Sequence, residues 1–201
     1  MKSLYDFIVK PLGETYDNTI NIDDTKLILN NNVESFKFVN NYAEVISTPL
    51  MLETPVNVGD IILVHHNVFR RWYDMKGKQK NGRAFFVDDL YFVSIDQVYL
   101  YKNKNGFNPF GNRCFVKPIK SKNVLDNEKE QSLVGILKIG NSSLEALGIN
   151  QGDLVGFKPN SEFDFLINKE RLYCMKSNDI VLKYERKGDE EEYNPSWAES
   201  S

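Results

Sequence analysis

Val58-Gly59-Asp60-Ile61-Ile62 returns 93 residues later as Gln151-Gly152-Asp153-Leu154-Val155. Gly-Asp followed by apolar β-formers reads as a tight turn feeding a buried strand. Two further stretches repeat around it. Val9-Lys10-Pro11-Leu12 matches Val116-Lys117-Pro118-Ile119. Tyr91-Phe92-Val93, followed by Asp96-Gln97-Val98-Tyr99-Leu100, matches Tyr173-Cys174-Met175, followed by Asn178-Asp179-Ile180-Val181-Leu182. The order is the same in both halves, the mark of one structural unit built twice. Pro118 stands 107 residues after Pro11, Gly152 stands 93 after Gly59 and Tyr173 stands 82 after Tyr91. The second copy is therefore shortened between the matched blocks. Strands are kept and loops trimmed, and loops are where folds tolerate deletion and carry function.

The chain of 201 residues holds 41% hydrophobic and 26% charged residues, ordinary for a soluble globular protein. A net charge of −3 argues against a general affinity for nucleic acid. No apolar run approaches the roughly 20 residues that span a bilayer. Met1-Lys2-Ser3-Leu4-Tyr5-Asp6 leads into a strand pattern without a signal-peptide profile, so the expected location is the cytoplasm. Cys114 and Cys174 both fall in strand patterns of the second copy and are expected as buried free thiols rather than a disulfide.

Strand patterns dominate. Tyr5–Val9, Phe36–Val39 running into Tyr42–Ile46, Asp60–Val64, Ala84–Val87, Tyr91–Val93 and Val98–Tyr101 are short, apolar and punctuated by turn residues. Asn81-Gly82 is a tight-hairpin signal and Asp88-Asp89 a turn. Ser142 to Gly148 reads as one helical turn with a glycine stop. Lys102 to Gly106 reads as the linker. The expected domains are 1–102, 103–186 and a disordered acidic tail, 187–201, which contains Asp189-Glu190-Glu191-Glu192. The expected class is all-β: tandem small barrels or sandwiches.

Residues for chemistry are sparse. The two histidines, His65 and His66, would point to opposite faces if they lay on a strand, so they make neither a metal site nor a dyad. No Cys-x-x-Cys, phosphate loop or nucleophile elbow occurs, and the acid pairs Asp23-Asp24 and Asp88-Asp89 suit turns. Neither enzymatic activity nor a cofactor is expected. One segment is basic and aromatic: Arg70-Arg71-Trp72-Tyr73, then Lys76, Lys78, Lys80 and Arg83. Such a run can stack on single-stranded bases, or it can be a long hairpin with solvated charges or a protein-binding face.

The ordered blocks resemble the chaperonin-10 (GroES-like co-chaperonin) family. The carriers are Phe7-Ile8-Val9-Lys10-Pro11, Ala43-Glu44-Val45, Pro55-Val56-Asn57-Val58-Gly59-Asp60-Ile61-Ile62, Tyr91-Phe92-Val93 and Gln97-Val98-Tyr99-Leu100. The first copy is covered from Leu4 to Tyr101 and the second, more weakly, from Arg113 to Tyr184. Ala43 stands where the family has glycine, Gln97 where it has aspartate, and His65 to Asp89 is longer than usual. With its Asn- and Lys-rich composition, the chain is similar to phage-encoded co-chaperonins.

The resemblance implies two tandem GroES-like, partly open β-barrels, the first with a long mobile loop. It implies a co-chaperonin that caps a chaperonin ring and assists the folding of client proteins. ATP would be bound by that partner, in the cytoplasm of a host cell if the chain is phage-encoded. The loop corresponds to Leu12 to Tyr42, and the apolar tripeptide expected to bind the chaperonin is Leu27-Ile28-Leu29, with Ile20 and Ile22 as rivals. The alternative for the tripeptide is a core strand. Phe69, Arg70, Arg71, Trp72 and Tyr73 fall in the stretch corresponding to the family's roof hairpin. Only 16 residues separate Pro118 from Gly135, against 31 between Pro11 and Ala43, so the second copy's loop is short. A homo-oligomeric ring of seven chains, each offering one loop, would match a sevenfold chaperonin. Two other readings fit the same strands: a structural virion protein of tandem small barrels, and a nucleic-acid-binding tandem barrel using Arg70 to Arg83.

Overall fold

The computed structural model describes residues 2–13, 19–22, 25–28, 40–104, 106–121 and 130–199. It divides into two units, Met1–Phe107 and Asn108–Ser201.

In the first unit the strands are β1 (Phe7–Pro11), β2 (Thr19–Ile22), β3 (Thr25–Ile28), β4 (Tyr42–Ser47), β5 (Ile61–Val64), β6 (Arg71–Tyr73), β7 (Gln79–Asn81), β8 (Tyr91–Val93) and β9 (Val98–Asn103), followed by β10 (Gly106–Pro109), which runs across the boundary at Phe107. Six of them form one sheet in the order β10-β9-β5-β4-β1-β8. The second unit holds β11 (Arg113–Lys120), β12 (Glu130–Ile139), α1 (Ser142–Glu145), β13 (Leu154–Phe157), β14 (Phe163–Ile167), β15 (Glu170–Lys176), β16 (Ile180–Tyr184) and α2 (Ser196–Glu199). Its sheet runs β14-β15-β11-β12-β13-β16. Both sheets are antiparallel and neither closes into a barrel.

Read from opposite ends, β9-β5-β4-β1-β8 and β16-β13-β12-β11-β15 are the same arrangement, so the repeat in sequence is a repeat in topology. The correspondence extends to single hydrogen bonds. Gly59 N donates to Val45 O at 2.8 Å, and Gly152 N to Leu137 O at 2.8 Å. Asp60 Oδ2 accepts from Asn57 N at 2.8 Å, and Asp153 Oδ2 from Asn150 N at 2.7 Å. Both glycines take φ near +90° (+87° and +91°), a conformation that a side chain strains. The next crossing matches as well. A 3-10 turn, Ile95–Gln97 or Ser177–Asp179, delivers the last strand, and its final carbonyl accepts from His65 N or Lys158 N.

Alternation along β4 buries Ala43, Val45 and Ser47 while Glu44 and Ile46 face outward. The core of the first unit gathers Phe7, Val9, Ile62, Leu100 and Tyr91, all at most 1% exposed. In the second unit Val116, Leu137, Val155 and Tyr173 build the equivalent cluster, closed by Leu144 of α1. Asn141 caps α1, accepting from Leu144 N, and Gly148 (φ +73°) ends the turn, as the sequence predicts.

Several expectations change. Of the expected linker, Lys102 and Asn103 end β9 and Gly106 opens β10, its neighbour in the sheet. Ala84–Val87 makes only an isolated bridge to β8. The Asp88-Asp89 turn forms with both residues at positive φ (47° and 67°) and Leu90 N donating to Val87 O. The Asn81-Gly82 turn does not form. Asp74 makes the hairpin turn between β6 and β7 instead, its Oδ1 accepting from Lys76 N and Lys78 N, with Gly77 at φ +72°. Gly82 is needed for close approach, since a Cβ there would lie 2.6 Å from Arg70 O.

Residues of the acidic tail between 187 and 199 are bonded to the second unit's sheet. Lys120 N donates to Glu191 O and Tyr193 N to Pro118 O, and Ala198 is fully buried. Asn194 is the anchor: its Oδ1 accepts from Lys117 Nζ at 2.9 Å and Arg171 N at 3.0 Å, and its Nδ2 donates to Lys169 O. Composition hides this because the tail's acids meet lysines on the sheet, Glu191 with Lys120 and Glu192 with Lys138. Exposed pairs of that kind contribute little, so the backbone bonds and Asn194 hold the segment. Phe36–Val39, expected to lead into β4, lie outside the described residues, as does Asn105.

Candidate functional site

The stretch expected to be a mobile strap carries a hairpin. β2 and β3 pair antiparallel, with Thr19 opposite Ile28, Ile20 opposite Leu27, Asn21 opposite Lys26 and Ile22 opposite Thr25. They form a sheet of their own and join neither six-stranded sheet, so Leu27 and Ile28 do not belong to a strand of the main sheet. Register partners share a face and neighbours alternate. Positions 20, 22 and 27 therefore fall on one face of the ribbon and position 28 on the other. On that register position 27 of the expected tripeptide shares a face with its rivals, positions 20 and 22. Leu29 lies outside the described residues.

The second candidate, Phe69 to Tyr73, is split by the structure. Phe69 is fully buried and meets Tyr91 edge-to-face with centroids 4.9 Å apart, so it anchors the core rather than roofing anything. Arg70 is exposed, and Trp72 is exposed by half. Arg71 and Tyr73 lie on β6, paired with Asn81 and Gln79. The β6–β7 ribbon joins neither main sheet, and Met75 in its turn is wholly exposed. Met75 is absent from the candidates that the sequence suggests, and its signal there is an apolar side chain between Asp74 and Lys76 in a turn.

His65 and His66 are not opposed across a strand. β5 ends at Val64, and in the turn that follows their rings stack with centroids 4.3 Å apart. His65 Nδ1 accepts from Asn67 N at 3.1 Å. Burial, with His65 and Arg70 nearby, holds the His66 pKa below its usual value. Cys114 and Cys174 are free and buried, one register position apart on β11 and β15. Burial pushes each thiol up to about 12, reinforced at Cys114 by Asp179 and opposed at Cys174 by Arg113. Neither is a nucleophile at neutral pH.

Among the described residues no group of three or more His, Cys, Asp or Glu could hold a metal ion. No described helix is long and apolar enough to cross a membrane. No family model matches the chain, and no curated protein is significantly similar to it.

Proposed function

We propose that the chain is a GroES-like co-chaperonin, built from two tandem units, that caps a chaperonin ring through the β2–β3 hairpin of the first. The observation that carries this reading is the hairpin itself: a two-stranded ribbon outside the main sheet, with apolar residues at positions 20, 22 and 27 on one face. The ordered blocks around it, repeated in the second unit with a connection of half the length, support the family reading. ATP is bound by the partner ring, and seven copies of the chain supply seven hairpins.

The energetics suit a reversible cap. Burying three aliphatic side chains contributes roughly 5–8 kcal/mol gross. Ordering a loop costs about 1–2 kcal/mol per residue fixed, which a pre-paired ribbon reduces. A single hairpin then binds weakly, and several presented together gain avidity. ATP-dependent co-sedimentation with a chaperonin ring tests the reading. The native chain is expected to pellet with the ring and Ile20→Ser/Leu27→Ser to stay in solution; a native chain that never associates overturns it.

A second reading has its own observation. Half-exposed Trp72 is the register partner of Lys80 on a ribbon that stands outside the sheet, with Lys76 and Lys78 in its turn and Arg70 and Arg83 flanking it in sequence. Stacking on single-stranded nucleic acid would use that arrangement. Retention on single-stranded DNA that falls steeply with salt, and is lost in Trp72→Ala, would favour it over the first.

A further inference from the structure

A cleft of about 420 Å³ opens in the second unit between β12, β15 and the tail. Its wall is built by an irregularity in β12. Pairing with β11 jumps from Pro118 opposite Gly135 to Lys120 opposite Glu130, and Leu133 between them takes φ +59°. That bulge turns Glu130 to Leu133 toward the opening, where they line the cleft with Phe157, Tyr173 and Tyr193.

The charges are asymmetric. Arg171, the one cationic residue of the lining among the described residues, is already committed. Its Nη1 donates to Glu130 Oε2 at 2.7 Å, and its Nε and Nη2 donate to Asp164 at 2.8 and 3.3 Å. Its guanidinium lies 4.9 Å from the Tyr173 ring centroid, and the Tyr173 hydroxyl donates to the other Glu130 oxygen at 2.7 Å. Two carboxylates thus outweigh one guanidinium before Glu162 is counted. Glu162 adds a further negative charge, and its Oε2 is buried with no hydrogen-bond partner. An acceptor in that state is unfavourable until a donor reaches it.

We propose that this cleft binds a primary alkylammonium group, the end of a lysine side chain or of a polyamine, with the ammonium donating to Glu162 and the methylene stem lying along Tyr193, Phe157 and Leu133. An anion is repelled by the surplus of carboxylates. A metal ion finds too few free oxygens, because both oxygens of Glu130 are engaged by Arg171 and Tyr173. An ammonium on a short apolar stem fits both the unpaired acceptor and the aromatic walls. The site is private to the second unit. At the positions that correspond to Phe157 and Arg171 the first unit has Val64 and Asp89, so the shared scaffold does not require it.

Titration of the full-length chain at low ionic strength, followed by amide and side-chain NMR, tests this. The probes are Nα-acetyl-lysine-methylamide, putrescine and, as an uncharged control, butanol. Saturable shifts confined to Glu162, Tyr173, Tyr193 and their neighbours are expected for the two amines and not for butanol. Glu162→Gln should weaken amine binding about tenfold or more. Tyr193→Leu, which leaves every carboxylate in place, should weaken it severalfold and serves if the first variant does not fold. Tighter binding of the lysine derivative points to a protein partner, tighter binding of putrescine to a free polyamine. Butanol shifting the same signals as the amines, no saturation by either amine, or unaltered binding in a folded Glu162→Gln chain would overturn the proposal.

Discussion

Ala43 in the first unit and Gly135 in the second sit opposite the same proline of the same strand pair, Pro11 and Pro118. Ala43 is fully buried without difficulty, whereas a Cβ at Gly135 would lie 2.5 Å from both Lys117 O and Val116 Cγ1. One topology has thus been packed two ways. The margins diverge further. The first unit carries two ribbons outside its sheet, β2–β3 and β6–β7, while the second folds its own tail back along β11. The equivalent strands show it too: Leu100 of β9 is fully buried, and its counterpart Leu182 of β16 is exposed by half. A duplicated scaffold keeps its sheet order and its Gly-Asp turn, and differentiates at connections and edges, where substitutions disturb few contacts.

That contrast can be broken by substitution. Gly135→Val should destabilise the second unit by about 3 kcal/mol or more, because the new atoms meet backbone, whereas Ala43→Gly should cost the first about 1 kcal/mol. Chemical denaturation read by amide hydrogen exchange in each unit measures both. Similar losses at the two sites would mean that the strand pairs are packed alike. Ending the chain after Arg186 should remove about 2 kcal/mol from the second unit, since it leaves Lys117, only 2% exposed, without Asn194. Exchange in the first unit should be unchanged.

The shared turn makes the opposite prediction. Gly59→Ala and Gly152→Ala should each cost about 1–2 kcal/mol, and by similar amounts, because both force a side chain into the left-handed region. A tolerated substitution at one site alone would show that the two turns are not equivalent. The smallest effect is a pH dependence private to the first unit. Burial disfavours charged His66 in the fold, so the unfolded chain binds its proton more readily and stability rises with pH through that window. Stability should be complete above the ordinary histidine value of 6.5 and decline as pH falls below it. His66→Gln should flatten that decline in exchange measurements on the first unit.

Much of the scaffold was legible in the chain because its signals are local. Gly59-Asp60 and Gly152-Asp153 mark a turn that only glycine makes cheaply, and Asp88-Asp89 accept positive φ. What was hidden depends on tertiary partners. The tail reads as solvated until Asn194 meets Lys117 and Arg171. Phe69 reads as part of an exposed aromatic-basic run until Tyr91 buries it. His65 and His66 read as opposed only if they lie on a strand; β5 ends at Val64, and in the turn beyond it their rings stack. Leu27-Ile28-Leu29 reads as a single plug because contiguity is visible in sequence, whereas the register that groups Leu27 with Ile20 and Ile22 comes from pairing across a turn.

Amide hydrogen exchange of the full-length chain, alone and with a chaperonin ring and ATP, tests the central claim most directly. Strong new protection centred on residues 19–28 when ring and nucleotide are both present, with the Gly-Asp turns of both units unaffected, is the predicted result. Exchange across the hairpin that is identical with and without the ring, under conditions where the ring closes on a known cap, would contradict the account.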